Sequence, residues 1–315
     1  MLKVLYLSLG EQDGTSDAFR NVGVQLEVYD FWGHWERTKN KKIIENEFLS
    51  KVRDFQPNLI HMQLQFTGVI EAHILDEARK LCHGVILTNW SGDCRTSALS
   101  EYTKVANSVD FSLMSSTGQL EMYRGAGCKN ITYWQIGYDP KYHHPLNYNE
   151  FKYDAIFIGN NYGNNFPDGH IRSEAVSFLS NHLGNRFQAF GSGYGAQITI
   201  KQNNEMYNKT ICPISISNFN DVSHYFSDRL LYCLASGRPT ISWYFPGCES
   251  YFVDGSEIFI ARSNQDILDI IKYCRENPEA AKKVGINGHR KVLKEHTFTS
   301  RIIELLNITN LTHLV

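Results

Sequence analysis

Short apolar runs alternate with amphipathic stretches along the first half of the chain. The apolar runs, each four to eight residues long and bounded by turn residues, are typical of buried parallel strands. They predict strands at residues 3–9, 25–30, 58–62, 84–88 and 109–114. The intervening stretches 41–55 and 71–82 carry apolar residues at helical spacing. Strands that alternate with helices predict a doubly wound parallel sheet.

The second half repeats this pattern. Strands are predicted at residues 153–159, 187–190, 211–216 and 240–243, and helices at 171–182, 227–235, around 267–274, from Asn277-Pro278 onward and after His296. The helix at 227–235 is followed by Gly237 and Pro239, which are typical of a helix end. The sequence therefore predicts two Rossmann-like α/β domains.

A polar stretch at residues 143–149 separates the two halves and suits a linker. We expect its tandem histidines, His143 and His144, to be solvated. The predicted division is a first domain at 1–145, a second at 150–296, and a C-terminal helix at 297–315 that returns to the first domain. Ligands of such sheets bind beyond the carboxyl ends of the strands, which places the expected site without naming its chemistry.

Composition and charge narrow the class of protein. The chain has 315 residues, of which 42% are hydrophobic and 20% are charged, and its formal net charge is −2. These values are typical of a globular protein and argue against extended contact with a nucleic-acid backbone. The seven cysteines lie far apart without a Cys-x-x-Cys pair, and no apolar run is long enough to span a membrane. We therefore expect a cytoplasmic protein.

The strongest candidate for chemistry in the second half is the start of the helix at 227–235. Ser227, Asp228 and Arg229 open this helix, whose free backbone N–H groups and dipole attract anions. Arg229 could grip a diphosphate, although a capping Ser or Asp beside a surface arginine gives the same pattern. Gly159 and Asn160 follow the first strand of this half, in a glycine-rich turn that comes before Arg172. Such a turn lets a ligand approach the backbone closely, although an ordinary loop gives the same pattern.

Candidates in the first half lie near the ends of two strands. Trp90 could stack on a sugar, Asp93 could orient a hydroxyl, and Arg95 could pair with a charged group. A turn that contains an Asp–Arg pair and a buried indole is equally consistent with the sequence. His61 and Gln63 alternate along another strand and so share one face, from which they could contact sugar hydroxyls. His61 also fits a purely structural histidine.

Metal motifs are missing from the sequence, which contains neither His-Glu-x-x-His nor Asp-x-Asp. Enzymes that use a divalent cation on a diphosphate often hold it with closely spaced acids. Without such acids, arginines and helix dipoles must balance the phosphate charge. We therefore expect no metal and no other cofactor.

Taken together, several segments of the second half resemble GT-B glycosyltransferases, and in particular the CgeB-like branch related to glycosyltransferase family 4. The matching segments are residues 226–239, Pro246-Gly247-Cys248-Glu249, 252–255 and 288–298, with looser matches in the first half at 57–61, 90–93 and 125–129.

The resemblance implies a GT-B fold in which the second domain binds a nucleotide-sugar donor and the first binds the acceptor. Arg172 and Arg229 would contact the diphosphate, Gly159 and Asn160 would line the pocket, and Glu249 would lie near the sugar or nucleotide. Transfer would retain the anomeric configuration, with the departing diphosphate acting as the base. If the enzyme inverts instead, a protein base is needed, and the candidates are Asp93 and then His61.

One departure leaves alternatives open. Many family 4 members carry two acids around the donor helix, where this chain has His224 and Tyr232. This departure motivates a non-catalytic GT-B domain that binds sugars or partners. Another alternative is a phage-type glycosyltransferase that acts on modified bases in DNA. The sequence does not identify the donor sugar or the acceptor, which could be a glycan, a small molecule, a protein or modified DNA.

Overall fold

A computed structural model describes residues 1–10, 14–65, 68–148 and 150–315. The described chain divides into two compact units, Met1–Ile136 with Phe298–Val315, and Gly137–Thr297. Asn149, the last residue of the predicted linker, lies outside the described residues. The division differs from the boundary predicted at residue 145, because the segment after Ile136 is held by the second unit. The Leu146 amide, for example, donates to Asn208 Oδ1 at 2.7 Å.

The first unit is built on a six-stranded parallel sheet with the order β2-β1-β3-β4-β5-β6. The strands are β1 Lys3–Ser8, β2 Gln25–Asp30, β3 Leu59–Met62, β4 Ile86–Ser91, β5 Phe111–Met114 and β6 Ile131–Tyr133. The helices are α1 Gly14–Asn21, α2 Phe31–Thr38, α3 Lys41–Phe55, α4 Ala72–Leu81, α5 Ser100–Ala106 and α6 Leu120–Gly125.

Alternating side chains of the buried strands fill a core on each face of this sheet. Leu5 and Leu7 of β1 contribute to one core, and Val4 and Tyr6 contribute to the other. This alternation is the period of two that a strand imposes, applied to a sheet covered on both faces.

The second unit contains a five-stranded parallel sheet with the order β11-β10-β9-β7-β8. Its strands are β7 Tyr153–Ile158, β8 Phe187–Phe190, β9 Thr210–Ser215, β10 Ile241–Trp243 and β11 Phe259–Ala261. Its helices are α7 Gly169–Leu183, α8 Ile200–Asn208, α9 Asp228–Ala235, α10 Asn264–Glu276 and α11 Pro278–Glu295. The side chains of β7 are buried along its whole length, as the near-continuous apolar run predicts.

A last helix, α12 Phe298–Ile308, belongs to the first unit. Its side chains Ile302 and Leu305 join the core that contains Val4 and Tyr6. The indole N–H of Trp134 donates to the Arg301 carbonyl at 2.9 Å, which ties this helix to the segment after β6. No helix of the described residues is long and apolar enough to cross a membrane.

The expectation that both tandem histidines are solvated is wrong for His143. His144 is exposed, but His143 is only 3% exposed because its ring stacks on Tyr232 at 3.9 Å between centroids and 7° between planes. Burial, followed by the neighbouring His144, lowers the pKa of His143 to about 4, so this ring is neutral at pH 7.

Candidate functional site

Arg229 lies in the first turn of α9 and reaches to the carboxyl end of β7. Its Nη1 donates to the Ile216 carbonyl at 3.0 Å and to Ser227 Oγ at 3.3 Å, and its Nε donates to the Ile158 carbonyl. Its guanidinium carbon lies 5.0 Å from the centroid of the Phe157 ring. These contacts fix the side chain at the edge of the sheet where ligands of doubly wound domains bind.

Arg172 approaches the same point from the first turn of α7. Its Nε and Nη2 donate to the Ile216 carbonyl at 3.1 and 2.8 Å, and its Nη1 donates to the Asn160 carbonyl at 2.9 Å. Its guanidinium carbon lies 5.4 Å from the same Phe157 ring. The structure therefore brings the two predicted arginines together on one aromatic ring and one shared carbonyl.

The two guanidinium groups have no carboxylate partner among the described residues, since each of their hydrogen bonds goes to a carbonyl or a hydroxyl oxygen. Arg172 is only 3% exposed. Burial, and then the charge of Arg229, lower the pKa of Arg172. Two adjacent cations without a counter-ion leave positive charge that a bound anion would neutralise.

Glycine lets the backbone pass beside this pair. A Cβ added to Gly159 would lie 2.6 Å from Arg229 Nη2, so any other residue there would push the guanidinium away. Gly191, with φ of +116°, lies against the Gly159 carbonyl, and a Cβ there would come within 2.3 Å of that oxygen. The loop after β7 is thus shaped to bring the backbone close to the arginines.

The other donor-site candidates lie around the arginine pair. Asn160 holds the neighbouring loop, because its Oδ1 accepts from the Ser192 amide at 3.0 Å. Ser227 makes no side-chain cap on α9, and its hydroxyl instead accepts from Arg229. Asp228 accepts the Arg229 backbone N–H at 2.8 Å, and its carboxylate lies close enough to Tyr232 to raise the pKa of that phenol. Glu249 is exposed, in a short 3₁₀ turn at Cys248–Ser250.

Tyr232 occupies the position where the resembled family often has an acid. Burial, and then the nearby Asp228 carboxylate, raise the pKa of Tyr232, so its hydroxyl stays neutral and is able to donate to that carboxylate. The ring of His143 stacks on the ring of Tyr232.

Replacing Tyr232 with phenylalanine is expected to lower the free energy of unfolding by about 1 kcal/mol, because the interaction of the hydroxyl with the Asp228 carboxylate is lost while the stacked ring remains. Denaturant unfolding measures this loss. Tyr232→Leu, which also removes the stacking, should cost more. Equal stability of wild type and Tyr232→Phe would contradict the interaction with Asp228.

In the first unit, Asp93 and Arg95 form an ion pair just after β4. Arg95 Nη2 lies 3.1 Å from Asp93 Oδ2, and the Asp93 side chain is 60% exposed. The Arg95 amide donates to Gln119 Oε1 at 3.1 Å, which anchors this turn. Asp93 is accessible, while much of its charge is balanced by its neighbour.

The remaining first-unit candidates are buried. Trp90 is part of β4, is 5% exposed, and donates its indole N–H to the Trp134 carbonyl at 3.2 Å. Gln63 is 8% exposed and donates to the Tyr6 hydroxyl. These contacts favour the buried-indole alternative for Trp90 and an internal role for Gln63.

His61 is fully buried among aromatic rings. It stacks on Tyr6 at 5.6 Å, and its Nδ1 lies 2.8 Å from Thr88 Oγ1. Burial lowers the pKa of His61 to about 3, which keeps the ring neutral at physiological pH. The geometry favours the structural histidine that the sequence left open.

The chain matches one protein-family model and resembles several solved structures. Residues 172–307 match the family model described as glycosyl transferase-like. A search of curated proteins finds no match to this chain. Three solved structures resemble the chain along nearly its whole length, at 10–12% sequence identity.

The first is HepE from Anabaena, in complex with UDP and glucose, with a TM-score of 0.64 and 10% identity over 98% of this chain and 100% of that one. A glycosyltransferase from Rickettsia africae has a TM-score of 0.65 and 12% sequence identity, over 98% of this chain and 97% of that one. Sucrose-phosphate synthase from Thermosynechococcus elongatus has a TM-score of 0.60 and 11% sequence identity, over 98% of both chains. The fold is GT-B.

Within this GT-B chain, the family match includes five of the candidates in the second unit and leaves out Gly159 and Asn160, which precede residue 172. Sequence reasoning missed Phe157 and the Ile216 carbonyl, which organise the two arginines. Phe157 lies inside a continuous apolar run, and any residue offers a carbonyl, so neither had a signal in the sequence.

Proposed function

We propose that this GT-B chain is a glycosyltransferase whose second unit binds a nucleoside-diphosphate sugar, with the diphosphate on Arg172 and Arg229. The observation that carries the proposal is the pair of adjacent guanidinium groups without a carboxylate partner among the described residues. The glycosyl transferase-like match across both arginines supports the same reaction class.

The charge of a diphosphate suits this position. Arg172 and Arg229 each carry a planar set of donors that fits phosphate oxygens, and the start of α9 adds the positive end of a helix dipole. Two cations supply charge that a divalent ion supplies in other enzymes, and we propose that donor binding is independent of metal.

The proposed nucleotide is UDP. Three of the solved structures with this fold are complexes of HepE, with UDP and glucose, with UDP-glucose and with UDP. In this chain, Asn160 and Glu249 lie on the loops after β7 and β10 and are the proposed contacts to the rest of the donor.

The proposed chemistry retains the anomeric configuration, in keeping with the resemblance to the CgeB-like branch of family 4. The acceptor oxygen bonds to the anomeric carbon on the face from which the diphosphate leaves, and the acceptor proton passes to the departing phosphate oxygen. The arginines stabilise the negative charge that develops on that phosphate. Asp93, the accessible candidate of the first unit, is proposed to orient the acceptor.

A thermal-shift screen against UDP-, GDP-, ADP- and CMP-sugars, without metal, tests the donor site. A ligand present at one hundred times its dissociation constant adds about 2.7 kcal/mol to the stability of the folded state. We expect a shift with the UDP-sugar. No shift with any of the four, with or without magnesium, would contradict the proposed function, and a shift with another nucleotide would contradict UDP alone.

Replacing Asp93 with asparagine is expected to leave donor affinity unchanged and to lower the transfer rate by about a hundredfold, the scale of lost acceptor positioning. Donor hydrolysis measures this rate with water as the acceptor that Asp93 would orient. Arg95→Gln, which removes only the partner of the ion pair, is the matched control. Transfer at the full rate in a folded Asp93→Asn protein would make Asp93 structural.

A further inference from the structure

A cavity of about 400 Å³ lies in the second unit, at the edge of the sheet opposite to Arg172 and Arg229. It is bounded by the start of β9, the turn before β10, the end of α10 and the start of α11, with Tyr148 and Phe151 on one side. Ile211, near the amino end of β9, lines the cavity, whereas Ile216, just past its carboxyl end, holds the arginine pair. Five residues of strand separate the two places by about 16 Å.

Arg238 is the principal cation of this cavity. Its guanidinium carbon lies 4.5 Å from the centroid of the Phe151 ring. Its Nε is buried and has no hydrogen-bond partner, and the side chain makes no ion pair with the described residues. Burial lowers the pKa of Arg238, yet an arginine stays protonated in a protein. A partly buried cation without an anion is costly unless a ligand supplies the negative charge.

Two further cations, Arg275 and Lys282, line the same cavity as Arg238. Arg275 lies 3.3 Å from Asp154 Oδ2, a carboxylate that it shares with Arg186. Lys282, in the first turns of α11, has no ion pair with the described part of the chain. Among the described lining residues the acidic one is Glu279, against three cations. The wall of the cavity therefore carries net positive charge.

The backbone that carries Arg238 is closely packed. Gly285 of α11 lies directly against the turn, where an added Cβ would come within 2.3 Å of the Gly237 carbonyl and 2.7 Å of the Arg238 carbonyl carbon. The backbone of this turn is thus supported by α11, and it needs no ordering when the guanidinium binds an anion.

The rest of the lining is apolar. Phe151, Ile211 and Pro239 offer an aromatic face and aliphatic surface beside the cations. Binding sites for small organic molecules combine such surface with a few fixed polar groups. An anion with an organic body fits this wall better than a bare ion does.

We propose that this cavity is a second ligand site, which binds a small organic phosphate through Arg238 and Lys282, with its organic part against Phe151. The site is separate from the proposed donor site, and its existence does not depend on the transferase activity. A phosphate dianion matches the excess of cations, and its oxygens can accept from the two Nη groups of one guanidinium at once.

Calorimetric titration with phenyl phosphate tests this proposal in the full chain carrying Arg229→Ala, which disables the proposed donor site. We expect binding that is weaker by at least about tenfold once Arg238→Gln is added, the scale of a lost charge-assisted contact. Lys282→Gln should weaken binding as well and serves if the Arg238 variant fails to fold. Arg290→Gln, an exposed arginine of α11, is the matched control and should bind normally.

Other titrants distinguish the contribution of the organic part to binding from the contribution of the phosphate. Inorganic phosphate should bind more weakly than phenyl phosphate, and neutral phenyl glucoside should not bind. Equal affinity for both phosphates would contradict the organic ligand. No binding of phenyl phosphate, or binding that both the Arg238 and Lys282 variants leave unchanged, would overturn the site. None of these results bears on the donor site, whose test is the nucleotide-sugar screen.

Discussion

Replacing Arg229 with alanine is expected to weaken the binding of UDP by about 1.5–3 kcal/mol, or roughly 10- to 150-fold. The guanidinium lies at the carboxyl end of β7 beside Gly159, with carbonyl and hydroxyl partners, so its charge is available to a phosphate. Isothermal titration with UDP, in the absence of metal, measures the change directly.

Two controls separate this loss of affinity from a general effect. Arg290→Ala removes an exposed arginine from α11 of the same unit and should leave UDP affinity unchanged. The unfolding transition of Arg229→Ala should show that the variant is folded. A folded Arg229→Ala protein with wild-type affinity for UDP would remove Arg229 from the donor site.

Replacing Arg172 with methionine is expected to destabilise the fold as well as abolish donor binding. Arg172 is buried and makes three hydrogen bonds to the Ile216 and Asn160 carbonyls. Methionine fills similar space but leaves the Asn160 carbonyl without this donor, and an unsatisfied buried polar group costs about 1–3 kcal/mol. Urea unfolding of the ligand-free protein measures the loss.

The second part of this prediction concerns coupling between the arginines. Because burial and the charge of Arg229 both lower the pKa of Arg172, removing Arg229 also removes a repulsion. The stability losses of Arg172→Met and Arg229→Ala should therefore not add in the double variant. Strictly additive losses would show that the two guanidinium groups do not interact, and the single anion site would lose its basis.

Much of the fold follows from the pattern of apolar positions, because buried parallel strands leave a strong local signal. The helix α3 and the strands β2 and β8 match their predicted bounds, and the other predicted strands shift by at most three residues at either end. The missed elements include β6 and β11, which have three residues each. Runs that short do not differ from loop segments with a few apolar residues.

The candidate site was only partly predictable. Arg229 was predicted because it lies at the start of a helix. The structure adds that Arg172 donates to the same carbonyl, that of Ile216, which places the two cations side by side. Burial of individual polar side chains could not be inferred. His61 lies within an aromatic cluster, and His143 stacks on Tyr232, which follows it by 89 positions in the chain. Such contacts are set by tertiary packing, on which one sequence carries no direct information.

A crystal structure of the protein in complex with UDP, grown without divalent metal, would show directly where the diphosphate binds. We expect diphosphate oxygens to lie within hydrogen-bond distance of the Arg229 and Arg172 guanidinium groups, with the backbone of Gly159 beside them. A diphosphate bound elsewhere, such as against Arg238 at the opposite edge of the sheet, would contradict the proposed donor site.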